Sequence, residues 1–306
     1  MTTAIDEVEI PEAPNLRVRG GVTIQTQVRP AIMGIVNVTP DSFGTKPLYP
    51  DNHPQAALEY AQRLHEDGAD IIDIGAESTR PGAERISNAE QLKRLIPVVQ
   101  GCVDAGMIVS VDTCSADVAR EVLEAGAHVI NDVSGLADMS VAEVCLNYDA
   151  AYVLMHARST PKEMQSAEHL DYPEGIVDAV DEFFHTSVGS LLDLGFDEDQ
   201  IVLDPGFGFA KSVRHNFELI QKLTLFTTSG LNVLVGISRK SFIGAATGVS
   251  NPLDRDPGTT TLSAFLAMMG AQIHRVHNVA QTIQAIRMMQ AIDAGEPLDW
   301  PPVLGT

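Results

Sequence analysis

Three acceptor residues stand at the ends of short apolar runs in this chain: Asp112 after IVSV, Asn131 after HVI and Asp204 after IVL. Two carboxylates and an amide facing one another suit a heterocycle with several N–H donors, because a carboxylate accepts two parallel bonds from an amidine-like edge. Each Asp alone reads equally well as a helix cap or a turn residue; the repetition favours binding. A second group is cationic. Arg80, Arg239, Lys240, Arg275 and His277 lie just after, or in the last turn of, runs of the same kind. The chain has 20 basic against 41 acidic residues, a net charge of −21, so cations gathered at matching positions point to an anion, in the first place a phosphate. The competing reading is salt-bridging to Asp and Glu on a rim. That reading is weaker for Arg275 and His277, because alternate positions of a strand share a face and both should point inward.

The residue ending the first run, AIMGIV, is Asn37. The GFGF stretch at 206–209 lacks the GxGxxG spacing of a nucleotide loop. It reads as a turn that lays Phe207 or Phe209 against a flat ligand, with core packing favoured for Phe207. The chain holds 9 histidines, but the first run ends in N-V-T where a metal hydrolase of this architecture would place H-x-H, and His156 and His277 stand singly. A tightly held transition metal is not expected. Asn37 is instead suited to Mg²⁺ brought in by a phosphate, since Mg²⁺ accepts amide oxygens and keeps most of its waters.

These residues need a scaffold that brings many strand ends together. Eight strand-like runs begin near 31, 70, 108, 128, 151, 201, 232 and 274, each followed by a helix-length segment. Helices are expected near 54–66, 88–105, 115–125, 138–148, 174–194, 213–223, 257–270 and 279–293, with Ser115 and Asp138 where N-caps belong. This alternation defines an α/β chain folded as a (β/α)8 TIM barrel, whose site lies at the C-terminal ends of its strands. Residues 15–29, LRVRGGVTIQTQVRP, read as an N-terminal β-hairpin that could plug the bottom of the barrel. The expected organisation is a flexible tail at 1–14, one domain over 15–294 including the hairpin, and a coil at 295–306.

The strong acidity excludes nucleic acid and anionic membrane as partners. It is consistent with solubility or a salty habitat. Three cysteines, Cys102, Cys114 and Cys145, have no C-x-x-C spacing, which fits a reducing compartment. No secretory segment and no bilayer-length apolar run is visible, so a soluble cytoplasmic protein is expected.

The motifs IVNVTPDSF, DIGAESTRPGA, VSVDTCSADVA, VINDVSG, LDPGFGFAK, GISRKSFIG and RVHNV occur in this order. On them the chain resembles the dihydropteroate synthase family, from about residue 31 to 290. The resemblance implies condensation of 6-hydroxymethyl-7,8-dihydropterin diphosphate with 4-aminobenzoate to dihydropteroate and diphosphate in folate biosynthesis. It implies a Mg²⁺-assisted, SN1-like transferase, a sulfonamide target and a homodimer formed through helices on the side of the last three strands. By motif, Asp112, Asn131, Asp204 and Lys240 would hold the pterin, with Met155 and Phe209 lining its slot. Asn37, Arg275 and His277 would take the diphosphate and, through Asn37, its Mg²⁺. Thr79, Arg80 and Pro81 would lie near the diphosphate and aminobenzoate. Phe43, Ser238 and the stem of Lys240 would flank the aminobenzoate. Asn37, Lys240, Arg275 and His277 would be catalytic. One departure stands out: the first loop has Thr45 where the family's loop carries Asp, leaving Asp51 as a nearby carboxylate. Two other functions compete, a pterin-binding paralogue without turnover and a methyltetrahydrofolate methyltransferase. The STRPG loop and the Arg275/His277 pair argue against the second.

Overall fold

A computed structural model of the chain describes residues 13–39, 54–77, 86–158 and 169–305. The chain enters through an antiparallel hairpin, β1 (Leu16–Val18) and β2 (Val22–Ile24). Eight parallel strands then close into a barrel: β3 (Ala31–Asn37), β4 (Ile71–Gly75), β5 (Ile108–Asp112), β6 (Val129–Asp132), β7 (Ala151–Met155), β8 (Ile201–Asp204), β9 (Asn232–Val235) and β10 (Ile273–Val276). Around them lie α1 (Pro54–Glu66), α2 (Asn88–Asp104), α3 (Ala116–Glu124), α4 (Met139–Asn147), α5 (Ile176–Leu194), α6 (Val213–Gln221), α7 (Leu223–Thr227), α8 (Ser241–Thr247), α9 (Asp256–Met268) and α10 (Val279–Ala294). Sequence patterning anticipates the long helices but not α7 or α8, which are too short to show a helical period.

Helix starts follow the expected capping chemistry. Ser115 accepts from the Val118 N–H and Asp138 from the Ser140 N–H, satisfying donors that the helix leaves without partners. The strands are apolar on both faces, as strands covered by helices outside and by each other inside must be. Their outward residues, such as Val36, Ile74, Val111, Leu154 and Val235, pack under the helices in one large core. Their lower inward residues, Ala31, Met33, Ile71, Ile108, Val129, Ala151, Val153, Val202, Leu234 and Ile273, form a second core. Leu16, Val18 and Ile24 of the hairpin pack into that second core, so the hairpin plugs the N-terminal mouth. Each such side chain removed from water contributes about 1.5–3 kcal/mol.

The C-terminal stretch expected as coil is tied to this plug. Its strand β11 (Leu304–Gly305) pairs with β2, and Val303 joins the inner core. Arg29 donates to the Pro301 carbonyl at 2.7 Å, forks onto Asp70 at 2.8 Å and lies 4.4 Å over the Trp300 ring. The partners come from opposite ends of the chain, so no local pattern announces the pairing. Among the described residues, no helix is long and apolar enough to cross a membrane.

Candidate active site

Towards the C-terminal ends of the strands, the inward positions turn polar. Arg275 of β10 reaches past β3 to Asp73 of β4, its Nε donating to Asp73 Oδ2 at 2.7 Å. Its Nη2 lies 2.7 Å from the same oxygen and 3.3 Å from Asp112 Oδ2. Ser110 donates to Asp73 Oδ1 at 2.7 Å, and Asn131 Nδ2 stands 3.5 Å from Oδ2. Asp73 is fully buried, and burying such a group is tolerated only where it is paired and hydrogen-bonded, as it is here by Arg275 and Ser110.

One step higher, Asn37, Gly75, Asp112 and Asn131 are register partners on four successive strands. Gly75 keeps the space between them open: a Cβ there would lie 3.6 Å from Asn37 Oδ1 and 3.5 Å from the Asp112 Cβ. Asn131 Oδ1 is buried with no hydrogen-bond partner among the described residues. An unsatisfied buried acceptor costs about 1–3 kcal/mol, which a ligand N–H would recover.

On the next two strands round the barrel, Met155 of β7 pairs in register with Asp204 of β8. Asp204 Oδ1 accepts the Gly206 N–H at 2.8 Å. Met155, Phe209 and Ala210 pack as a small separate cluster, and Lys240 Nζ sits 4.0 Å from the centre of the Phe209 ring. Phe207 turns the other way, into the outer core against Phe242, as expected for it. Lys211 is buried beneath this turn, with Nζ 2.9 Å from His156 Nδ1.

Burial pushes the Asp112 carboxyl up to about 7, against the opposing charge of Arg275. Burial also raises Asp204, while the Gly206 N–H and the ammonium groups of Lys240 and Lys211 oppose the rise. Burial lowers Lys240 to about 8, with Arg275 adding to the effect and Asp204 and Asp112 opposing it. Lys211 is lowered to about 7, again chiefly by burial. Burial works against the charge of Arg275, but Asp73 and Asp112 outweigh it and hold the guanidinium firmly charged.

His277, the next inward position beyond β10, has Nδ1 2.9 Å from Ser238 Oγ, and that hydroxyl accepts the His277 main-chain N–H at 3.2 Å. Ser238 and His277 are therefore joined at one edge of the site. Two expectations need correction. Arg275 does point inward, but it is ion-paired there with Asp73 and Asp112, because the inward face carries carboxylates as well as cations. Arg239 leaves the site: with φ at 59° it turns onto Asp256, at 2.6 and 2.8 Å, which is the rim salt bridge. Phe43, Thr79, Arg80 and Pro81 lie outside the described residues, as do Thr45 and Asp51.

The strand-end reading of the sequence does not single out Asp73, Ser110 or Lys211. Asp73 was legible, being a charged residue two positions before Gly75 in an apolar strand, and so on the same inward face. Lys211 was not, since nothing local marks a lysine in a turn as buried.

A family model described as pterin binding enzyme matches residues 33–277. The dihydropteroate synthase of Escherichia coli is 39% identical over 263 residues, covering 86% of this chain and 91% of that one. The Yersinia pestis dihydropteroate synthase, solved as a sulfonamide drug complex, superposes with a TM-score of 0.84 at 38% identity, over 90% of this chain and 98% of that one. The Xanthomonas albilineans dihydropteroate synthase, solved with 4-aminobenzoic acid, gives 0.83 at 36% identity, over 92% and 99%. A closed barrel with this acceptor set belongs to the pterin-binding enzymes, and the chain is a member of that family. Within it, the relatives it matches are dihydropteroate synthases.

Proposed function

We propose that this protein is a transferase that condenses 6-hydroxymethyl-7,8-dihydropterin diphosphate with 4-aminobenzoate, giving dihydropteroate and diphosphate. Beside the family membership, one observation carries the reading: Asn131 Oδ1, buried without a hydrogen-bond partner among the described residues, stands beside Asp112, with Met155 and Asp204 on the two strands that follow. A pterin is a flat heterocycle with an N–H-rich edge, and it suits acceptors ranged along consecutive strand ends beside Met155 and Phe209. Asp112, Asn131, Asp204 and Lys240 hold it.

The diphosphate falls to Arg275, His277 and Asn37, with Thr79 assigned by motif. Arg275 is already fixed by Asp73, so little reorganisation is needed as charge builds on the leaving group, which is how preorganised electrostatic catalysis works. The methylene C–O bond breaks, the diphosphate leaves with the bonding pair, and the arylamine nitrogen forms the new C–N bond and then loses a proton. Ser238 and the stem of Lys240 flank the aminobenzoate, with Phe43, Thr79, Arg80 and Pro81 assigned to it by motif.

Mg²⁺ fits as an ion carried by the diphosphate. Among the described residues no cluster of His, Cys, Asp or Glu could hold a metal by itself, whereas Asn37 offers one amide oxygen beside Asp112. Bound there, the ion would neutralise phosphate charge.

The decisive experiment is a condensation assay on protein purified away from host enzyme. Dihydropteroate formation supports the reading. Pterin binding by calorimetry without any product would instead make the chain a non-catalytic pterin binder.

The same reading includes a homodimer and a reducing cytoplasmic setting. Phe265 and Met268 of α9 and Met288 and Ile292 of α10 are exposed on two helices that pack together, an apolar face suited to a second copy. Sedimentation of the wild type and of a Phe265→Asp/Ile292→Asp variant tests this, with a dimer expected to become a monomer. None of the three cysteines forms a disulfide.

A further inference from the structure

We infer that Lys211 is a positioning residue for pterin recognition, whose ammonium staples the turn after β8 to the end of β7 and so sets the Phe209 ring and the Asp204 carboxylate. This rests on the pterin-binding reading above.

The turn lies directly on the end of β7. A Cβ on Gly206, which has φ at +69°, would come within 2.2 Å of the His156 carbonyl oxygen. The His156 N–H donates to the Asp204 carbonyl at 2.8 Å, and the Asp204 carboxylate accepts the Gly206 N–H. Strand ends and turn therefore form one unit, with Lys211 Nζ at its centre. That nitrogen lies 2.9 Å from His156 Nδ1, 3.1 Å from the Phe209 carbonyl and 3.4 Å from the His156 carbonyl.

Three acceptors around one nitrogen match an ammonium, which has three donors and no acceptor. A neutral amine would turn its lone pair on one of them, so these acceptors, with the charge of Asp204, favour the ammonium against the burial that lowers the group to about 7. The imidazole must accept through Nδ1, and burial, with the nearby charges of Lys211 and Arg158, keeps that ring neutral. No carboxylate lies within ion-pair distance of Lys211 among the described residues, so its bonds are spent on the turn itself.

The turn needs such a fastening. Ala210, between Phe209 and Lys211, has φ at 47°, a left-handed conformation that persists only where surrounding contacts impose it. Phe209 carries both one of the three acceptors and the ring that faces the slot. Asp204 is close enough to feel the Lys211 charge. Losing the staple frees the platform without removing any group that would touch the ligand.

The test is calorimetric titration with 6-hydroxymethylpterin, alongside steady-state kinetics and thermal melting. The proteins are the wild type, Lys211→Met, His156→Asn and His156→Leu. Lys211→Met is expected to weaken pterin binding about tenfold or more and to raise the KM for the pterin diphosphate, with kcat and the aminobenzoate KM little changed. His156→Asn places an amide oxygen where Nδ1 stood and should bind pterin almost as the wild type does. His156→Leu should lose affinity as Lys211→Met does. Wild-type affinity in Lys211→Met, or equal losses in the two His156 variants, would overturn the role. If Lys211→Met does not fold, the His156 pair decides alone. A wild type that binds no pterin would remove the functional reading and this role together, an outcome distinct from a loss confined to the variants.

Discussion

Arg275 and Asp73 lock together inside the barrel, on strands separated by β3, with Nε 2.7 Å from Oδ2. Removing one partner of a buried ion pair typically costs ~3–5 kcal/mol, and Asp73→Asn leaves Arg275 only its longer contact with Asp112, at 3.3 Å. Arg275 retains some exposure, so Asp73→Asn should destabilise toward the low end of that range. Removing both charges in Asp73→Asn/Arg275→Gln should restore much of the loss. Urea unfolding of the three proteins checks this, and a double variant less stable than Asp73→Asn would contradict it.

Arg275→Ala should weaken the pterin diphosphate far more than hydroxymethylpterin lacking phosphate. Comparing two ligands on one variant cancels any shared loss of stability. Calorimetry that finds equal losses would show that Arg275 does not serve the diphosphate.

Asp204 is buried and tied to the Gly206 N–H, so Asp204→Ala would disturb the turn as well as the ligand contact. Asp204→Asn keeps an oxygen for Gly206 while removing the charge. It should fold normally and lose ~1.5–3 kcal/mol of pterin affinity, the range for hydrogen bonds to a charged group. Titration showing unchanged affinity would remove Asp204 from the pterin site.

With its carboxyl pushed to about 7, Asp112 in the free protein gains a proton as pH falls through neutrality. A protonated carboxyl is a poorer acceptor for an N–H edge. Pterin affinity should therefore rise with pH up to about 7 and fall below it, and Asp112→Asn should flatten that limb. Titrations at several pH values check this, and a wild-type affinity that is flat through the range would contradict it.

A net charge of −21 makes self-repulsion a destabilising term. Raising NaCl from about 0.01 M to about 1 M shortens the screening length from ~30 Å to ~3 Å. The melting temperature should rise by several degrees over that range. A flat or falling melting temperature would mean that the ion pairs lost to screening outweigh the repulsion relieved.

The barrel, its strand ends and most of the inward polar wall were determined by sequence alone, because they rest on local regularities. Short apolar runs followed by capped helical segments specify strand and helix, and a period of two puts Asp112, Asn131, Asp204 and Arg275 on the inward face once their strands are placed. Even Asp73 could be found that way. Closure of the barrel decided the rest. It set Arg275 against Asp73, turned Arg239 away onto Asp256, brought Lys211 back to His156 and paired the C-terminal stretch with β2. Each of these depends on where a side chain or strand end lands relative to a residue distant in sequence. Such distances are fixed by strand register and packing, and no short stretch of sequence encodes them.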